Sequence, residues 1–185
     1  RRAVDRVLDV VPSSDALGVL VFDAAPTAVV GLGEPRDAPV LTRKLLAISP
    51  GGPTRVTPAL AGALQMLREG HAIDGAPTRI VLVSDGRTTA EDAAAARALA
   101  QRAGVEISTV AVGDEADRTL LQQLAEATGG RAWFPGAPGD LPQLVARAAA
   151  QSTGGAVVEE SFTPRVERHP MLAGFEGAPW PRLQG

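Results

Sequence analysis

The chain has 185 residues, 45% of them hydrophobic and 21% charged, with 18 basic and 21 acidic residues and a net charge of −3. That size and balance describe a folded domain with a core large enough to need no staple, and they exclude a disordered chain. The charge is near neutral without a basic stripe, so nothing attracts nucleic acid, and the absence of cysteine excludes disulfides, thiol catalysis and zinc–thiolate sites.

The opening "RRAVDRVLDVV" places Ala3, Val4, Val7, Leu8 and Val11 at helical spacing, which predicts a helix over 1–11 that ends near Pro12. This start is neither a signal peptide nor an initiator methionine, and it reads as a piece of a longer protein. The apolar runs Leu17–Phe22 and Thr27–Leu32, separated by a turn at Ala25-Pro26, predict an antiparallel hairpin. Residues 33–39 read as loop, 40–48 as a short helix and "SPGGPTRVTP" as a breaker-rich loop. Val56, Leu60, Ala63, Leu64 and Leu67 then mark one helix face, with Pro58 suited to the first turn.

Ile80–Ser84 predicts a strand. Residues 89–103 predict an alanine-rich helix that opens on a Thr89 cap and an acidic first turn and closes at Gly104. After it come a strand in "EISTVAV", a helix in "DRTLLQQLAEAT" closed by Gly129, a short strand in "RAWF" and a last helix in "DLPQLVARAAAQ". Strands that alternate with helices and are apolar on both faces imply a mostly parallel sheet wrapped by helices, an α/β doubly wound class. From Gly154 the periodicity is lost, so residues 1–153 form the expected domain and 154–185 a linker or the start of another. No stretch has the length and apolarity to span a bilayer.

The segment "RIVLVSDGRTT" delivers Asp85 from a buried strand straight into a glycine turn. In an open parallel sheet ligands collect beyond the carboxyl ends of the strands, where Asp85 sits and toward which the "GGPTRVTP" loop brings Thr54. A hydroxyl and a carboxylate are hard oxygen donors of the kind magnesium prefers. The structural alternative is equally concrete: Asp85 caps the next helix, and Thr54 caps its own or bonds within its loop. His71 and His169 stand alone, each without a nearby second ligand, and do not suggest a metal site.

"ALGVLVFDAAPTAVVGL", "GGPTRVTPALAGAL", "RIVLVSDG" and "ISTVAVGDEADRTLLQQLAEATGGRAWFP" resemble, in order, successive segments of a von Willebrand factor A domain over about residues 1–150. The resemblance implies a doubly wound, Rossmann-like sheet with a metal-ion-dependent adhesion site on its top edge. In that family an Asp-x-Ser-x-Ser loop, a threonine and an aspartate bind magnesium or manganese, and a partner protein's carboxylate completes the octahedron. Thr54 matches the family threonine and Asp85 the family aspartate. No Asp-x-Ser-x-Ser occurs in the chain, and "VPSSDAL" has its serines ahead of the aspartate. The strand that carries the motif in the family precedes the helix that begins here at Arg1. The resemblance therefore implies a domain truncated at its N-terminus, with a partial site, weak metal binding and unpaired backbone on the strands that flank the missing one. The tail segment "AVVEESF" is a candidate filler of that slot. "FTPRVERHPMLAGFEGAPWPRLQG" faintly resembles the start of a glutamine-amidotransferase-like domain that follows such domains in bacterial, membrane-anchored proteins.

Three functions follow from these residues. The leading one is a protein-binding module, not an enzyme, in which Thr54 and Asp85 help hold a divalent ion for an acidic partner residue, with Asp23 and Asp114 as turn residues or at most the rim. A degenerate scaffold without metal is the second. The third is an α/β hydrolase or phosphotransfer domain using Asp85, opposed by the absence of a Walker loop, a Gly-x-Ser-x-Gly elbow or a second carboxylate close after Asp85; the lone Gly-x-Gly of "VVGLGEP" is too little for a dinucleotide.

Overall fold

A computed structural model describes residues 7–12, 14–34, 37–48, 52–70 and 78–150, all within the compact unit Arg1–Thr153. The first six residues of the expected N-terminal helix, His71, His169, the tail 154–185 and its "AVVEESF" segment lie outside the described residues; residues 7–10 are helical.

The early hairpin forms from β1 (Val19–Phe22) and β2 (Pro26–Val30), antiparallel, with an irregular register between Val19 and Leu20. Helix α1 (Ala38–Ala47) begins two residues earlier than its apolar periodicity predicts, because the Asp37 side chain caps it by accepting the Val40 amide at 3.2 Å. Helix α2 (Val56–Glu69) buries Val56, Ala59, Leu60, Leu64 and Leu67, the face its spacing marks out. Strand β3 (Arg79–Ser84) is followed by α3 (Ala90–Gln101), capped by Thr89 as expected. Then come β4 (Glu106–Ala111), α4 (Arg118–Glu126), the two-residue β5 (Ala132–Trp133) and α5 (Leu141–Ala150).

Strands β3, β4 and β5 pair in parallel, in that order, with Ile80 opposite Ile107 and Thr109 opposite Ala132. Helices cover both faces. Ile80, Leu82 and Ile107 pack with Leu60 and Leu64 of α2, Ala96 and Ala100 of α3 and Leu121 and Leu124 of α4. Val81, Val83 and Val110 pack on the opposite face with Leu144, Val145 and Ala148 of α5. The fold class is thus the expected α/β with a parallel sheet between helices.

The described strands do not, however, form one continuous sheet. β1–β2 is a separate two-stranded sheet, and neither β1 nor β3 has a hydrogen-bonded strand on its other side. β1 and β3 do not pair with each other, and each leaves one backbone edge without a strand partner among the described residues. Helix α2 bridges the two sheets, packing Phe22 and Leu32 of the hairpin region into the same cluster as Ile80 and Leu82.

Candidate functional site

Asp85 follows β3 directly and is half-buried, while Gly86 behind it is buried with φ +69°. Ser84 holds the turn, its hydroxyl accepting the Gly86 amide at 3.0 Å. Asp85 Oδ1 accepts the Arg87 amide at 3.0 Å, a tight side-chain turn, and the Asp85 carbonyl accepts the Asp117 amide at 2.7 Å. Among the described residues Asp85 Oδ2 accepts no protein hydrogen bond. Asp85 does not cap the next helix, because Thr89 does so, accepting the Asp92 amide at 3.2 Å.

Gly86 is required for this turn. A Cβ there would lie 3.1 Å from Leu121 Cγ and 3.2 Å from the Asp117 carbonyl, in a left-handed conformation that L side chains avoid. Gly86→Ala is therefore expected to lower stability by about 1–2 kcal/mol in urea unfolding.

Thr54 is half-buried in the loop before α2, and its hydroxyl has no hydrogen-bond partner among the described residues. It does not cap α2 either: Arg55 occupies that position, and its side chain makes no capping bond. The cap comes from another helix. Asp92, in the first turn of α3, is 4% exposed, and its Oδ2 accepts the Val56 amide at 2.7 Å and the Thr57 amide at 3.3 Å. The same oxygen accepts the Thr88 hydroxyl at 2.8 Å, and the Thr57 hydroxyl donates to the Asp92 carbonyl at 2.9 Å. Burial alone would raise the Asp92 pKa, but the bonds from Thr88, Val56 and Thr57 outweigh it and hold the carboxyl below its ordinary value. Arg55 Nε lies 3.5 Å from Asp92 Oδ1, but its side chain is 47% exposed and the ion pair is worth little beside the hydrogen bonds.

Three further contacts set the surroundings. The Arg55 amide donates to the Asp23 carbonyl at 2.9 Å, and Asp23 Oδ1 accepts the Ala25 amide at 3.2 Å, so Asp23 is a turn residue that steadies the Thr54 loop. Asp114 is exposed in the loop after β4. The loops after β1 and β3 and the loop before α2 are thus tied to one another, with the loop before α4 joined through Asp117.

Asp92 is the residue that sequence reasoning missed, although a signal was present. It shares the helical positions i, i+4 and i+8 with the buried Ala96 and Ala100, which puts a carboxylate on the core face, where it needs partners.

Among the described residues Thr54 Oγ1 and Asp85 Oδ2 have no protein partner, and as hard oxygens they are of the kind that suits Mg2+ or Mn2+. Two oxygens are well short of the about six that such an ion takes, so these two alone do not make a site. Among the described residues no group of three or more His, Cys, Asp or Glu side chains is placed to hold a metal.

The sequence profile of the von Willebrand factor type A domain matches residues 2–147. No curated protein matches the chain. Among solved structures, a von Willebrand factor type A protein from Catenulispora acidiphila superposes with a TM-score of 0.69 at 17% identity, over 83% of this chain and 37% of that one. The conserved hypothetical protein BatB from Bacteroides thetaiotaomicron gives a TM-score of 0.63 at 16% identity, over 83% and 86%. Proximal thread matrix protein 1 from the mussel byssus, with a zinc-occupied MIDAS motif, gives 0.55 at 19%, over 80% and 41%.

Proposed function

The chain belongs to the von Willebrand factor type A family, and we propose that it is a protein-binding module, not a catalyst, with Thr54 and Asp85 as its contribution to a divalent-metal site. Domains of this family generally mediate protein–protein interactions and often bind a divalent metal. The observation that carries the proposal is that Thr54 and Asp85 both escape the capping roles open to them and, among the described residues, keep an unpartnered oxygen each, on loops tied together by hydrogen bonds. In this reading Thr54 and Asp85 would hold Mg2+ or Mn2+ together with further oxygens, and the metal would supply a Lewis-acidic grip on a partner protein's carboxylate. Binding by the chain alone is weak, because magnesium tolerates an incomplete shell poorly.

A membrane-anchored parent belongs to the same proposal. It is supported by an aerotolerance-related membrane protein from Bacteroides fragilis among the structures of the same fold, at a TM-score of 0.60 and 14% identity. Among the described residues no helix is long and apolar enough to cross a membrane.

Thermal unfolding at millimolar Mn2+ tests the metal. A rise in Tm is expected for the wild-type chain, and its loss in Asp85→Ala and in Thr54→Val. Without metal, Asp85→Ala should change stability by about 1 kcal/mol or less, since it removes one exposed hydrogen bond. No metal-dependent rise in any variant makes the domain a scaffold, and turnover of a phosphate or ester that disappears in Asp85→Ala makes it an enzyme.

A further inference from the structure

A buried carboxylate is costly unless its hydrogen-bonding capacity is filled, and Asp92 fills its own from the adjoining loop and from a segment 35 and 36 residues away. Val56 and Thr57 belong to the helix that Thr54 leads into, and Thr88 lies in the loop that Asp85 opens. The position of Asp92 in its own helix makes the arrangement unusual. Three residues after the Thr89 cap, an acidic side chain ordinarily reaches back to the cap's own amide. Here it reaches across to the start of α2 instead, so that one carboxylate serves the N-terminal ends of two helices and accepts favourable interaction from both dipoles.

We propose that Asp92 is the positioning residue of the Thr54–Asp85 site: by capping α2 from α3 and accepting the Thr88 hydroxyl, it fixes the loop that carries Thr54 against the loop that carries Asp85. Thr54 is two residues from the Val56 amide and Asp85 three residues from the Thr88 hydroxyl, so little free chain separates either from the clamp. The Thr57 hydroxyl, bonded to the Asp92 carbonyl, doubles the link, and the Asp23 carbonyl holds the Thr54 loop from its other side through the Arg55 amide. The importance of the clamp for function rests on the metal reading of Thr54 and Asp85, whereas the mechanical coupling of the two loops does not.

The experiment uses the full chain, with Thr88→Val as the mild variant and Asp92→Asn as the severe one. Thr88→Val removes only the hydroxyl that ties the Asp85 loop to Asp92. Two quantities are read by NMR: hydrogen exchange of the Val56 amide, and Mn2+ affinity from paramagnetic broadening at Thr54 and Asp85. The clamp predicts that Thr88→Val speeds exchange at Val56 about tenfold, although residue 88 donates nothing to that amide. It also predicts that Mn2+ affinity falls about 10- to 100-fold in both variants while far-UV circular dichroism is unchanged in Thr88→Val. Unaltered Val56 exchange in Thr88→Val overturns the coupling. Equal Mn2+ affinity in wild type and Thr88→Val overturns the positioning role, because a residue of purely structural importance would leave it so. If wild type itself shows no broadening at Thr54 and Asp85, the metal reading fails, and the Val56 exchange alone still decides the clamp.

Discussion

Asp92→Ala is expected to destabilise the domain by about 3 kcal/mol, several times the effect of Asp85→Ala. Both changes delete a carboxylate that follows or flanks a β–α turn, and the difference lies in what each deletion strands. Removing Asp92 leaves the Val56 and Thr57 amides and the Thr88 hydroxyl without an acceptor, at the mouth of the core where Val56 is fully buried. Removing Asp85 frees one exposed amide, Arg87, to water. The contribution of Asp92 also depends on pH with a definite sign. Its folded pKa is depressed, so its stabilisation is complete above the unfolded carboxyl value of about 3.9 and is lost as pH falls through the lower folded value. Urea unfolding of wild type and Asp92→Ala should therefore diverge most near neutral pH, and the gap should narrow only below about pH 3.9. A constant gap down to strongly acidic pH would show that the charge of Asp92 is not what matters.

Gly130→Ala is expected to cost at least about 3 kcal/mol and to rank with the most damaging single changes in the domain. A Cβ at this position would stand 2.1 Å from the Ile107 carbonyl oxygen and 2.6 Å from its carbon, both in the backbone of β4. Neither can step aside without breaking the parallel ladder, since Ile80 and Ile107 are paired in it and the neighbouring Thr109 amide bonds to the Arg131 carbonyl. The adjacent Gly129 is the control. It has φ +76° but nothing within 4 Å of an added Cβ, so Gly129→Ala should cost only the backbone penalty of about 1 kcal/mol. Chemical denaturation of the two variants side by side checks the prediction. Equal effects would mean that β4 yields to the intruding methyl group.

The contrast between these glycines also shows what was legible in the sequence. Gly129 announces itself as the residue that closes a helix, whereas the role of Gly130 depends on a strand more than twenty residues away and leaves no local trace. The same division runs through the fold. Helix faces such as Val56–Leu60–Leu64–Leu67 and the Thr89 cap follow from spacing and capping chemistry, and the structure reproduces them. The "RAWF" strand shortens to Ala132–Trp133 because only Thr109 and Val110 of β4 face it. The split into two sheets has no local signal, because it depends on β1 and β3 not pairing with each other among the described residues. At the candidate site, Thr54 and Asp85 stand out in the sequence because their loops are punctuated by glycine and proline. Asp92 looked like one more acidic residue in a helix's first turn, and its partners Val56 and Thr57 are 36 and 35 residues away. Reading the i, i+4, i+8 row of Asp92, Ala96 and Ala100 as a buried stripe would have exposed it.

We propose that Thr54 and Asp85 present two hard oxygens to one divalent cation. The direct measurement is a Mn2+ titration of the full chain followed by paramagnetic broadening of assigned backbone amides. Broadening centred on Thr54 and Asp85, absent in Asp85→Ala and suppressed by excess Mg2+, is the predicted result. Broadening scattered over exposed acidic residues such as Asp114 and Glu115, and unchanged by Asp85→Ala, would contradict it.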